Sequence, residues 1–384
     1  MVAALILVSA MTGCASATDA ASGPRPGDRV DPERMAAVAA DAGATADEIV
    51  EAGVAVDADR SGDGALLVTY SVSGDDDEGL SQAAWRLYDA HGDPAATGDA
   101  GDTSEGAAQA SVVGSDRGFL LTPASGRRQH LASDGESTDV RSVPDPLTTR
   151  PGDVLLGGTF EGELDGESGL GYRSDPGLLF HAGPSTDDGF QGRALAPDGT
   201  QWYASLAADP EDTTMPVYRA DGDRWVPVAP MAPPPGAVGV GSSLTATDSW
   251  TAIPVLRWND PGETGEEADG AEFVGVAVRS ATAPDDATWE LREPELSSSG
   301  GPGGTWDQVE LLPLDDNAVL LLADAVAPHL LDLATGRAAP FREPGAGDGW
   351  SYEVGSDGIY ATHPGHADAR FTADRGETWE RLPH

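Results

Sequence analysis

Thr372-Ala373-Asp374-Arg375-Gly376-Glu377-Thr378-Trp379 is the stretch whose reading decides the fold. It sets a carboxylate and a glycine between two threonines and closes on a tryptophan, and each residue type has a task in a tight hairpin. The Asp374 carboxylate can accept turn amides, Gly376 permits positive φ, and Trp379 offers a broad apolar face to a neighbouring sheet. A degraded copy stands upstream at Thr282-Ala283-Pro284-Asp285-Asp286-Ala287-Thr288-Trp289, with Pro284 and Asp286 in the Asp and Gly places. Asp221 to Trp225 is looser still.

Outward from these hairpins the chain is made of short apolar, β-branched runs separated by Gly, Asp and Pro. The runs are Ala65–Tyr70, Gly118–Thr122, Val154–Gly157, Trp202–Leu206, Thr251–Val255, Val319–Ala323 and Ile359–Thr362. Six of the seven follow a tight acidic turn such as Asp63-Gly64 or Asp357-Gly358; the run at Thr251 follows Asp248-Ser249. Their spacing of roughly 40 to 70 residues marks an internal repeat. Downstream of several runs comes a second element, as in Val217 to Pro230, which reads as strand, Asp-Gly hairpin, strand and proline stop. Long amphipathic helices are missing.

Thr372, Asp374, Gly376, Thr378 and Trp379 make the closing hairpin resemble the Asp box of sialidase-like (BNR-repeat) β-propellers, whose pattern is S/T-x-D-x-G-x-T-W. The resemblance implies an all-β propeller over residues 47–384, and the seven repeated strand-turn units set the expectation of seven blades of four-stranded antiparallel sheet; a pair of β-sandwiches is the competing architecture. Blade boundaries are expected near residues 95, 146, 188, 235, 299 and 345, with 146 to 190 the least regular stretch. In the family it resembles, the Asp box lies at the blade periphery, so these five residues are read as structural. A sialidase also needs an arginine cluster, opened by an Arg-Ile-Pro motif early in the chain. Here the similar tripeptide is Arg381-Leu382-Pro383 in the final strand, which argues against a conventional sialidase.

At the other end, Leu5 to Gly13 is an apolar run too short to span a bilayer, and it leads into Cys14, the only cysteine of 384 residues. Gly13-Cys14 resembles the lipobox of bacterial lipoproteins, although Met11 stands where Leu is usual and Met1 to Ala4 carries no Arg or Lys. The resemblance implies a signal peptide at 1–13, a lipid on Cys14 and a mostly disordered tether over 14–46, holding the protein to the outer face of the bacterial cell membrane. A buried thiol is the alternative for Cys14. One short helix is predicted inside the tether: Asp31 caps it, Pro32 takes its first position, Met35, Val38 and Ala39 share a face, and Gly43 stops it.

Sixty-five acidic residues against 22 basic ones leave a formal charge of −43, a field that repels nucleic acid and anionic lipid. His363-Pro364-Gly365-His366 with Asp368 gathers possible metal ligands, but Pro-Gly makes this a turn, not a helical zinc motif. Asp75 to Glu78 and Glu263 to Asp269 are acidic loops without EF-hand order. Ser297 to Gly304 reads as a linker, and Ser115-Asp116 with the scattered histidines forms no recognisable triad. No phosphate loop, dinucleotide fingerprint or nucleophile elbow is present, so no metal, cofactor or catalytic residue is assigned. The expectation is a secreted, lipid-anchored propeller that serves as a noncatalytic binding or scaffold protein, taking an envelope protein or glycan. A diverged sialidase-like exo-glycoside hydrolase and an envelope assembly factor are the alternatives.

Overall fold

A computed structural model describes residues 30–74, 81–103, 110–123, 127–156, 170–183, 190–205, 213–258, 271–296, 309–323, 326–345, 349–355 and 357–384. It is a seven-bladed β-propeller. Cys14, the two acidic loops and the Ser297–Gly304 linker lie outside the described residues.

Blade 1 runs Val54–Arg60, Leu66–Ser73, Ser81–Tyr88, Pro94–Thr103, from the axis outward; blade 2 runs Ser111–Ser115, Gly118–Thr122, Gln129–Leu131, Ser137–Asp139. Blades 4 to 7 begin at Phe190, Val238, Val309 and Ser351 and end at Met231, Arg292, Pro340 and Arg381. First strands of neighbouring blades touch one another around the axis. The boundaries expected near 188, 235, 299 and 345 fall between blades, whereas residue 95 lies inside the outer strand of blade 1. The chain at residue 95 has only just turned into that blade's last strand, which begins at Pro94.

Six of the seven apolar runs are the second strand of a blade. The reason is burial on both faces. In blade 1, Leu66, Val68, Tyr70 and Val72 enter the cluster shared with blade 7, while Leu67 enters the cluster shared with blade 2. A strand covered on both sides loses the polar alternation of a half-exposed one and becomes a continuous apolar run. Each such side chain contributes roughly 1.5–3 kcal/mol on full burial.

Blade 3 departs from the pattern. Its order is Val154–Leu156, Leu170–Arg173, Leu178–Ala182, and then Arg141–Leu147, which precedes the others in sequence and pairs parallel to the third strand. The run at Val154 is therefore a first strand, and residue 146 falls inside an outer strand instead of between blades. Pro144 and Pro146, which resemble a stop, are tolerated because the outer edge needs no further partners.

Two helices precede blade 1. In α1, Pro32–Ala39, Asp31 accepts the amides of Glu33 (3.1 Å) and Arg34 (3.3 Å), the cap the sequence predicts. In α2, Ala46–Ala52, Thr45 and Glu48 form a capping box. Gly53 then turns the chain inward, where a Cβ would stand 2.7 Å from Ser71 O. The Gln82 amide of blade 1 donates to the carbonyls of Val38, Ala39 and Asp41 at 3.2, 3.0 and 2.9 Å, satisfying the end of α1. Ala39, Ile49 and Val50 thereby join the core shared by blades 1 and 7.

Candidate functional site

A first strand has one edge paired to the second strand of its own blade and one edge turned to the neighbouring blade, so its remaining amides need acceptors. Blade 1 supplies them with carboxylates. A register shift between Ala55 and Asp57 sets the strand so that Asp57 and Asp59 both reach blade 2. Asp57 Oδ2 accepts the amide of Val112 at 2.8 Å and Asp59 Oδ2 that of Gly114 at 2.6 Å. The other carboxylate oxygens accept the amides of Ala58 (2.8 Å) and Arg60 (2.7 Å). Gly114 has no room for a side chain, because a Cβ there would collide with Arg60 O.

Glu353, on the first strand of blade 7, is hydrogen-bonded to Asp57 from the other side. Burial pushes the Glu353 carboxyl up to about 11, and the bond to Asp57 and the charges of Asp57, Asp59 and Glu310 add to it. Burial also raises Asp57, against the opposing hydrogen bonds, and raises Asp59 to about 7, where the amides of Gly114 and Arg60 hold it back. Within the pair Glu353 is the more strongly raised by its partner and donates, while the bond from Glu353 works to lower Asp57, the acceptor. Glu310, on the first strand of blade 6, keeps an exposed flank yet is also raised by burial of its carboxyl. The nearby cation is already committed: Arg60 Nε lies 3.3 Å from Asp357, which also accepts the Tyr360 hydroxyl at 2.7 Å. This arrangement sets a proton donor beside an acid that titrates near neutrality, the combination acid–base chemistry requires.

The hairpin at Thr372–Trp379 sits at the outer part of blade 7. Asp374 accepts the Thr378 amide (2.8 Å) and the hydroxyls of Thr378 (2.5 Å) and Thr372 (2.7 Å), and the Thr378 and Thr372 bonds hold its carboxyl down at about 2. Gly376, at φ 86°, donates its amide to Thr372 Oγ1 at 2.9 Å. The Trp379 indole donates to Arg342 O of blade 6 at 2.8 Å and meets Phe341 edge-on. In the degraded copy the polarity is inverted. Buried Arg279 donates to the carbonyls of Ala283 (3.1 Å) and Pro284 (2.6 Å), while the Trp289 indole still donates to the preceding blade, at Ala229 O (2.8 Å). Sequence reading had no cue for this exchange of a carboxylate for a guanidinium five residues earlier.

Other candidates separate in space. The His363 and His366 rings pack against each other and against Trp350, whereas buried Asp368 turns away to Arg381 at 2.6 Å. Arg381 thus stands on the outer strand of blade 7. Ser115 donates to Gly118 O, and His130 pairs with Tyr172, so they make no triad. Among the described residues no cluster of three or more His, Cys, Asp or Glu is arranged to hold a metal ion, and no helix is long and apolar enough to cross a membrane. A pocket of about 200 Å³ opens between Met231, Pro233, Val255 and Trp289 at the blade 4–5 border, remote from the carboxylates.

No family model and no curated protein matches this chain. Solved structures do resemble it. A puromycin-hydrolyzing peptidase of Mycobacterium tuberculosis is 11% identical at a TM-score of 0.43, over 93% of this chain and 55% of that one. A puromycin hydrolase is 14% identical at a TM-score of 0.42, over 93% and 56%. The β-propeller domain of the Trilobed protease from Pyrococcus furiosus is 7% identical at 0.32, over 86% and 98%. The chain spans about half the length of the first two. These likenesses concern the fold, but they correct one expectation. The expectation of a noncatalytic binding or scaffold protein, with a diverged sialidase-like glycosidase and an assembly factor as alternatives, finds no support in them: two of these structures are puromycin hydrolases and one is a protease's propeller domain, and the likeness is one of fold alone. The absence of a local catalytic motif, on which that expectation leaned, excludes little, because a propeller assembles a site from separate blades.

Proposed function

We propose that the chain is an exported Asp-box propeller, held by a diacylglyceryl group on Cys14 at the outer face of the bacterial cell membrane, whose axial carboxylates perform acid–base catalysis. One arrangement carries the chemistry: Asp57 and Asp59, two residues apart on the first strand of blade 1, are fixed by the amides of Val112 and Gly114, Glu353 of blade 7 stands against Asp57, and burial raises all three carboxyls. In this reading Glu353 is the proton donor and Asp59 the base. The negative field selects neutral or cationic groups of an envelope protein or glycan and rejects anionic ones. Thr372, Asp374, Gly376, Thr378 and Trp379 hold blade 7 to blade 6 and take no part in the chemistry.

Turnover of a panel of neutral and cationic aminoacyl amides, esters and glycosides tests the reading. The wild-type protein should turn over at least one class. Glu353→Gln and Asp59→Asn should each lose on the order of 10²–10⁴-fold, the usual contribution of a positioned acid or base. No turnover on any class, or full activity in both variants, defeats the assignment.

A further inference from the structure

Blades 7 and 1 close the ring without sharing a strand. Each is built from its own end of the chain, and no strand pairing joins their sheets. Among the described residues one main-chain hydrogen bond crosses, from Ala55 N to Ala367 O at 3.2 Å. Side chains also cross among the described residues: Thr362 Oγ1 to Val56 O at 3.4 Å, Arg60 to Asp357 at 3.3 Å, and the carboxyl pair of Glu353 and Asp57. Apolar contact of Tyr360, Ala369 and Phe371 with Ala55, Ala58 and Tyr70 lies behind them.

The carboxyl pair differs from the other crossings in needing a proton. With it, Glu353 donates and Asp57 accepts. Without it, two carboxylates confront each other across the seam. The groups facing them are Asp59 and Arg60 on the strand of Asp57, the amides of Val112 and Gly114 from blade 2, Glu310 from blade 6, and Asp357 and Tyr360 from blade 7. Arg60 is bound to Asp357, and among the described residues no other cation contributes to the pair. Repulsion between carboxylates removed from bulk water is strong.

We propose that the seam between blades 7 and 1 is a proton-controlled closure, tight while Asp57 and Glu353 share a proton and loosened when that proton leaves. This goes beyond catalysis and concerns the ring itself, so it stands or falls independently of any turnover at the channel.

Hydrogen exchange resolved by segment tests it, after correction for intrinsic base catalysis. Between about pH 6 and about pH 9, exchange in 54–60 and 351–355 of the wild-type protein should rise at least about tenfold more than in 201–205 of blade 4, since opening is local. Glu353→Gln retains a donor for Asp57 without a titrating proton and should remove the excess in 351–355 and cut it at least about tenfold in 54–60, where Asp59 still titrates. Asp57→Asn keeps an acceptor for the Val112 amide and removes the partner's charge but leaves Glu353 buried, so it should reduce the excess without abolishing it, and it decides the matter if the first variant fails to fold. An equal rise in every blade, or an excess undiminished in the folded variants, overturns the proposal.

Discussion

Asp57 Oδ2 accepts the amide of Val112 at 2.8 Å, so a side chain of blade 1 completes the main-chain hydrogen bonding of blade 2. Removing it by Asp57→Ala leaves a buried amide unpaired and should cost about 1–3 kcal/mol at neutral pH. Asp57→Asn should cost less, because a carbonyl oxygen remains. Denaturant unfolding of the two variants measures the difference, and equal losses would show that the amide bond is not the cause.

The pH dependence of stability follows from the same cluster. Glu353 and Asp59 bind protons more tightly in the folded protein than in the unfolded chain, so their contribution is greatest in acid and is lost as pH rises from the ordinary carboxylate range through about 7 for Asp59 and towards about 11 for Glu353. Asp374 has the opposite sign: its contribution is present above its ordinary value and lost as pH falls towards about 2. The melting temperature should therefore peak in mild acid. Glu353→Gln should raise it at about pH 9 while abolishing the proposed activity, a trade of stability for function that a purely structural glutamate would not show.

Trp379→Ala removes a half-buried indole from the blade 6–7 contact and its bond to Arg342 O, and should cost roughly 2–4 kcal/mol. Asp374→Ala should lower the melting temperature by a smaller amount and remove part of the acid limb. Calorimetry between about pH 2 and about pH 6 reads both effects. An unchanged melting temperature in Asp374→Ala, with loss of activity, would move this hairpin from structure to site.

Gln82 closes the end of α1 through three carbonyls. Gln82→Ala should destabilise the protein by about 1–3 kcal/mol and increase proteolysis first within residues 32–52. Cleavage that begins elsewhere would show that the helices are held by apolar packing alone.

Cys14→Ser tests the anchor. Two acyl chains give stable attachment where one gives only reversible binding. The variant should lose lipid label and appear in the medium or as unprocessed precursor; unchanged membrane retention would remove the lipoprotein reading.

The sequence by itself determined the local pieces of this protein. Asp31 before Pro32 sets the start of α1, and the acidic Gly-containing turns set where strands reverse. Second strands are visible as apolar runs because both of their faces are covered. These features depend on residues within a few positions of one another. The boundary expected near residue 146 fails where that locality ends: the outer strand of blade 3, Arg141–Leu147, is placed by parallel pairing with Leu178–Ala182, later in the chain, within the stretch expected to be least regular. Nor did Asp57-Ala58-Asp59 look different from any other acidic stretch in a chain with 65 acidic residues. Only the closed ring brings those carboxylates from one end of the chain against Glu353 from the other. Proton affinity is set by burial and by neighbouring charge, and both are properties of the assembled channel.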